Sequence, residues 1–380
     1  MSPSIQERID SLFEAVNTLN ADQTDLTWCV AGKPSFMSVD KFDISSSLSI
    51  STNSQEYKQV LRVRLNVDEI AQSIADDDTK LDHLDMDHLL RLLWSLAFFR
   101  LHSHKLVSLI ESRIHQLLSS GTQISDPHMI MLLWSDAMLL QTKSVLDISL
   151  SNVSHYDVPD LINIMFAVTL VGKDSQLIQS CRDSLYTKLS KGGNIPNDFI
   201  VRYNRLVIFA SAVLNEDEET FRRFLIKSAR GKAKHRQPWK YTFELCLASH
   251  GTLKPKRLEV NPLVESVFPF DVSYTASRRK ILLEVTRPDA LLRDMETLSV
   301  VGVDGYTRLC RLALARLGYH VVNFSVSEWT SGGADMEKKM QMVKKRVRNC
   351  LKGKALFTGT ERDTASADDD EYSDDSDMSY

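Results

Sequence analysis

Residues 307–329 read TRLCRLALARLGYHVVNFSVSEW. The span Thr307–Gly318 sets Leu309, Leu312, Ala313 and Leu317 at helical spacing. It predicts an amphipathic helix with those four residues inward and Gly318 closing its end. Tyr319–Trp329 is β-branched and aromatic, the composition of a central strand. Upstream, Lys280–Thr286 (KILLEVT) is a second β-rich run. Strand, helix, strand over this span predicts a small α/β unit. A last helix is expected from Met336 to Lys354, with Met336, Met340, Val343, Val347, Cys350 and Leu351 inward and its lysines outward.

Ahead of this unit, residues 251–279 hold Pro255, Pro262 and Pro269 and lose the helical period, so they are expected to form a linker. From residue 68 to residue 250 the period is helical. A weak internal repeat runs through it as LWSLAFF (Leu93–Phe99), LWSDAML (Leu133–Leu139), MFAVTLV (Met165–Val171) and IFASAVL (Ile208–Leu214). In each an aromatic precedes a small residue: Trp94-Ser95, Trp134-Ser135, Phe166-Ala167, Phe209-Ala210. A small residue lets a neighbouring helix approach while the ring fills the gap. The aromatics lie 40, 32 and 43 residues apart, which predicts an irregular α-solenoid of stacked helices. Trp94 and Trp134 are expected in its core. Asp126-Pro127, Val158-Pro159 and the segment Asn194–Asp198 mark helix starts. Residues 1–67 are expected to form a short amphipathic helix, with Ile5, Ile9, Leu12, Phe13 and Val16 on one face, and then a loop region.

The chain has 380 residues, 46 Lys+Arg and 50 Asp+Glu, for a net charge of -4. That total conceals a division. Residues 361–380 hold nine acids (Glu361, Asp363, Asp368, Asp369, Asp370, Glu371, Asp374, Asp375, Asp377) and one base, Arg362, which leaves 45 basic against 41 acidic residues in the rest. Residues 355–380 are therefore expected to be a disordered acidic tail. The five cysteines are scattered, and none are paired at C-x-x-C spacing, which argues against a zinc ribbon or a disulfide framework. His83, His88, His102 and His104 lack ligand spacing for a metal. There is no Gly-rich phosphate loop and no G-x-S-x-G. No cofactor and no metal are expected. No apolar run is long enough to predict a membrane span.

Two basic clusters stand out. Residues 222–257 contain Arg222, Arg223, Lys227, Arg230, Lys232, Lys234, Arg236, Lys240, Lys254, Lys256 and Arg257 against the single acid Glu244, with Trp239 and Tyr241 among them. Residues 338–354 contain Lys338, Lys339, Lys344, Lys345, Arg346, Arg348, Lys352 and Lys354 and no acid. Such patches bind phosphate backbones, and interleaved aromatics stack unpaired bases.

Residues 280–354 resemble a RAP domain. The resemblance is carried by Glu284 and Val285, then Gly305, Thr307 and Arg311, then Leu317, Gly318, Tyr319, Val321, Val322, Glu328 and Trp329. A helical-repeat array ahead of such a domain is similar to the FAST-kinase-like and octotricopeptide-repeat families. The resemblance implies a restriction-endonuclease-like fold for the α/β unit. It also implies an organellar RNA-binding factor, mitochondrial by location, acting in RNA processing, RNA stability or a ribosome-associated role. Apicomplexan proteins of this kind resemble mitochondrial ribosome-associated factors. The implied partners are a mitochondrial transcript or ribosomal RNA and components of the mitochondrial ribosome. The N-terminal MSPSIQERIDSLFEAVNTLN sets Glu7, Asp10 and Glu14 against Arg8 alone and is not the pattern of an import presequence, so a cytoplasmic location is the alternative. Where the family has Val-Asp-Gly-Pro, this chain has Val285-Thr286-Arg287-Pro288. A metal-dependent nuclease needs converging carboxylates, and Thr286 supplies none. Glu284 and Glu328 are the weak catalytic candidates. The alternatives to a binding factor are a Mg²⁺-dependent RNA endonuclease and a structural scaffold on the mitochondrial ribosome.

Overall fold

The computed structural model describes residues 4–21, 66–139, 153–227 and 240–352, with short breaks at 67–68, 75, 99, 173, 192–196, 254–255, 277, 287–289 and 295–299. The expected N-terminal loop, the basic stretch 228–239 and the acidic tail lie outside the described residues.

The fold is mostly helical, with a small mixed sheet toward its C-terminal end. The helices are α1 (Ile5–Ala21), α2 (Met86–Phe98), α3 (His104–Ser119), α4 (Asp126–Met138), α5 (Val158–Val171), α6 (Ser175–Ser190), α7 (Asn197–Leu214), the single turn α8 (Glu218–Arg222) and α9 (Lys240–Leu253). Their starts are written locally. The Asp157 carboxylate accepts from Asp160 N at 2.9 Å, with Pro159 in the first turn, and α5 closes on Gly172 in the left-handed region, a side-chain cap at one end and a glycine at the other. Ser103 caps α3 and Asp174 caps α6 in the same way.

The four repeat segments fall on α2, α4, α5 and α7, and these helices pack in succession. Ser95, Ser135, Ala167 and Ala210 are all fully buried, at the points where neighbouring helices meet. The rings of Trp94 and Trp134 pack on each other with centroids 4.2 Å apart, and both are only half-buried. On α1, Ile9 and Leu12 are buried as expected, whereas Phe13 is half-buried under the Arg91 guanidinium.

The principal sheet takes strands β2 (Lys256–Val260), β5 (Val272–Ala276), β6 (Arg279–Val285) and β9 (Tyr319–Phe324), in that spatial order. β2–β5 and β5–β6 are antiparallel and β6–β9 is parallel. Between β2 and β5 lies a small hairpin, β3 (Leu263–Val264) with β4 (Phe268–Pro269). The span expected as a linker therefore carries four strands. Its prolines misled because two of them sit where no ladder bond is lost, Pro262 just before β3 and Pro269 at the end of β4. Val272 and Tyr274 alternate as buried residues with half-buried Ser273 and Thr275, a strand alternation overlooked among the prolines.

Helix α10 (Gly305–Arg316) crosses from β6 to β9, and α11 (Val326–Ser331) and α12 (Met336–Leu351) follow. Successive residues of β6 feed opposite faces. Ile281, Leu283 and Val285 pack with α9 and α12, while Leu282 packs with Leu309, Ala313 and Leu314 of α10. A strand covered on both faces reads as a continuous apolar run, which is why KILLEVT has no alternation. The inward stripe of α10 differs from the expected one: Leu309 and Ala313 are buried, Leu314 joins them, and Leu312 is 43% exposed. Arg311 takes the inward place between them because it has a buried partner on the sheet, described below.

The core under α10 is continuous with the core of α1–α7. Between β6 and α10, β7 (Leu291–Asp294) and β8 (Val300–Val303) form a hairpin, and β7 pairs in parallel with β1 (Leu101–His102) from the helical region. Tyr306 at the start of α10 packs its ring against Phe166 and Phe209, the aromatics of the third and fourth repeat segments. Gly305 makes the approach possible: a Cβ there would lie 2.0 Å from the Ala137 carbonyl oxygen and 2.5 Å from Leu170 Cδ2. Backbone cannot yield as a side-chain tip can. Gly305→Ala is expected to lower the unfolding free energy by about 3 kcal/mol, the upper range for overpacking, measured by denaturant titration. A loss under about 0.5 kcal/mol, the level of a neutral surface change, would contradict this packing.

Candidate nucleic-acid interface

The residues that carry the RAP resemblance are brought together as supports of the fold. Glu284 and Arg311 meet inside the protein: Arg311 Nε donates to Glu284 Oε1 at 2.7 Å, and Arg311 Nη2 donates to Thr286 Oγ1 at 2.7 Å. All three are buried. Thr286, which stands in the place of the family's aspartate, is thus an acceptor for the same guanidinium. Gly305 is the close-packing point above. Thr307 N is capped by Asp304 Oδ1 at 2.8 Å. Gly318 adopts φ +81° at the end of α10, the conformation that glycine tolerates best. The Tyr319 hydroxyl donates to Glu265 Oε1 at 2.9 Å; burial first, and this hydrogen bond second, push its phenol up.

Glu328 closes a capping box with Ser325 at the start of α11 and pairs with Arg346 of α12. Trp329 is fully buried. Its Nε1 donates to Glu244 Oε2 at 2.9 Å, and Lys339 Nζ donates to the same oxygen at 2.6 Å. Lys339 also lies over the Trp329 ring. Glu284 and Glu328 are therefore held by different arginines. Among the described residues no group of three His, Cys, Asp or Glu side chains is arranged to hold a metal ion, and no helix is long and apolar enough to cross a membrane. Asp136 in α4 is a buried acid whose Oδ1 has no hydrogen-bond partner among the described residues; burial first, and Glu111 second, push its carboxyl well up. It lies apart from both basic clusters in sequence.

The two basic clusters fare differently. In the first, Arg222 pairs with Glu218 and Glu265, and Arg223 pairs with Glu219. These arginines are already answered by carboxylates, which composition over 222–257 could not reveal because all three acids lie outside that window. Lys227 and Lys240 are exposed. Arg230, Lys232, Lys234, Arg236 and Trp239 lie outside the described residues. Tyr241, read as a base-stacking aromatic, is instead buried against Leu245 and the sheet. The exposed aromatic is Phe243, 56% exposed, one turn from Lys240 and next to Leu247, 61% exposed.

The second cluster splits by helical face. Lys339 is buried, against the expectation that the lysines of α12 point outward, because Glu244 and the Trp329 ring receive it. Arg346 is half-buried on Glu328. On the outer face Lys338, Gln341, Lys345, Arg348 and Lys352 are exposed, and their alternating spacings of three and four residues align them in one stripe. Lys344 is half-buried beside it. Among the described residues no carboxylate forms an ion pair with Lys338, Lys344, Lys345, Arg348 or Lys352.

The fold adds a cation that sequence reading missed. Arg279, at the β5–β6 turn, donates from Nη1 to the Leu351 carbonyl at 2.7 Å, which sets it at the C-terminal end of the α12 stripe. Its charge is felt locally: burial first, and Arg279 second, hold the His320 imidazole below its usual value. Arg278 and Lys280 flank it, also exposed. The signal was the triplet Arg278-Arg279-Lys280 in SRRK, hidden by its place at the expected end of the linker. Because α9 and α12 pack side by side on one face of the sheet, the surface gathers Lys240 and Phe243 on α9, the stripe of α12 and the turn at Arg279 onto the same layer.

No family model and no curated protein matches this chain.

If Glu284 is a structural partner, Glu284→Ala strands a buried guanidinium and is expected to cost about 3–5 kcal/mol, the usual penalty for breaking a buried pair. Equilibrium unfolding in urea checks it. A variant as stable as the parent would mean that Arg311 does not depend on this carboxylate.

Proposed function

We propose that this chain is an RNA-binding factor that contacts phosphates through the outer face of α12. The observation that carries this reading is the stripe Lys338, Lys345, Arg348 and Lys352, extended by Arg279 and free of carboxylate partners among the described residues. Most basic residues on a protein surface sit near acids and lose most of their external field to them. A row of unanswered cations along about four helical turns instead keeps a positive potential over about 21 Å, at 1.5 Å per residue. Phosphate backbones answer such a field by releasing counterions. Phe243, exposed beside Lys240, adds an apolar face on which an unpaired base can stack.

Two finer readings of the fold support this. A run of three antiparallel strands, then a helix, then a parallel fourth strand, with helices on both sheet faces, is compatible with the restriction-endonuclease-like fold that the RAP resemblance implies. The successive packing of α2, α4, α5 and α7 agrees with an irregular solenoid. The mitochondrial location, and a role in RNA processing, stability or on the ribosome, rest on the resemblance. Binding without cleavage is favoured by the engagement of Glu284 with Arg311 and of Glu328 with Arg346.

The test is binding of full-length protein to a labelled single-stranded RNA across a salt series, with and without Mg²⁺. Log affinity should fall linearly with log salt, and the RNA should stay intact. The double variant Lys345→Glu, Arg348→Glu should bind at least ~10-fold more weakly and reduce the salt slope by about 1.4, at ~0.7 per phosphate contact on a single strand. Unchanged affinity in that variant would remove α12 from the interface. Shortened RNA that requires Mg²⁺ would favour the nuclease instead.

A further inference from the structure

Building on the RNA-binding reading, we propose that the chain's own acidic C-terminal segment, residues 361–377, docks on the α12 stripe and competes with RNA for it. Three facts converge on this occupant. The surface is a one-sided row of cations with no carboxylate paired to it among the described residues. The segment that follows α12 in the chain holds nine acids and one base within residues 361–380. The connection is short. Sixteen positions separate Lys352 from Asp368, a length that reaches up to ~55 Å at ~3.5 Å per residue. The stripe from Lys338 to Lys352 is only ~21 Å long. Every cation of the row therefore lies within reach of the cluster Asp368–Glu371 and of Asp374, Asp375 and Asp377.

Covalent connection makes this encounter intramolecular, with an effective concentration near the millimolar range for a short linker. Carboxylates spaced along an extended chain present charges to Lys345, Arg348 and Lys352 much as successive phosphates do. The contact is electrostatic and exposed, so it is weak per pair and screened by salt. It suits a competitor that an RNA with more contacts displaces, rather than a permanent lid. It also discriminates. A ligand offering only one or two phosphates does not outcompete the segment, whereas a longer strand does.

Two measurements on the full-length chain decide the matter. The first is zero-length carbodiimide crosslinking without RNA, at about 50 mM salt, read by mass spectrometry. Crosslinks from carboxylates of 361–377 to Lys338, Lys345 or Lys352 are expected, and they should fade as salt or single-stranded RNA is added. Crosslinks that are absent, or spread evenly over other exposed lysines such as Lys191, overturn the proposal. The second compares RNA affinity of the parent with a full-length variant carrying Asp368→Asn, Asp369→Asn, Asp370→Asn, Glu371→Gln, Asp374→Asn and Asp375→Asn. That variant should bind about 10-fold more tightly at low salt, converging with the parent as salt rises. Equal affinity at low salt overturns the competition while leaving RNA binding intact. If neither protein binds RNA, the functional reading falls and with it the competition.

Discussion

The carboxylate of Asp304 is fully buried and engaged at both oxygens. Oδ1 accepts from Thr307 N at 2.8 Å and starts α10, while Oδ2 accepts from Arg100 Nε at 3.2 Å. The Asp304 backbone N–H donates to the Ala290 carbonyl at 2.8 Å, tying in the end of the segment that leaves β6. Arg100 comes from the far side of the chain, at the turn after α2, with φ +55°. One ion pair thus fixes where the helical region meets the α/β unit. A charge taken out of water is costly unless it is paired and hydrogen-bonded, and both conditions are met here. Gly305 can then approach α4 and α5, and Tyr306 can fill the space between Phe166 and Phe209.

From that junction the rest of the unit follows in layers. α10 lies under one face of the sheet and brings Arg311 to Glu284 and Thr286. The opposite face is covered by α9 and α12, joined at Glu244, Lys339 and Trp329. Because Lys339 and Arg346 satisfy internal carboxylates, the remaining cations of α12 are left on one outer stripe. The positive surface is thus a by-product of how the helix is anchored. The inward basic residues hold it down and the outward ones face solvent.

Much of the α/β unit was legible in the chain. The run KILLEVT and the helix ending at Gly318 are local signals, and each became the expected element. The strand expected over Tyr319–Trp329 instead stops at Phe324, because the capping box of Ser325 and Glu328 starts a helix over Val326–Ser331. What could not be read were relations between distant residues. Composition marked residues 222–257 as a free basic cluster, yet Arg222 and Arg223 are answered by Glu218, Glu219 and Glu265. Tyr241 looked like a stacking platform and is core, because helical phase turns it inward and leaves Phe243 outside. Leu312 and Arg311 exchanged their expected roles for want of knowing that Glu284 waits on the sheet. The prolines of 255–269 suggested a linker, since a sequence does not show which backbone amides a sheet edge leaves unused. Arg100 and Asp304 are 204 positions apart, and nothing local in either announces the other.

The surface proposed for nucleic acid is the layer formed by α9 and α12, away from the helical region's outer surfaces. Ultraviolet crosslinking of the full-length protein to single-stranded RNA, followed by peptide identification, tests it most directly. Adducts are expected in the peptides that carry Lys240–Phe243, Arg278–Lys280 and Lys344–Lys352. Adducts confined to peptides from α2 to α6 would contradict it and move the binding surface to the helical array.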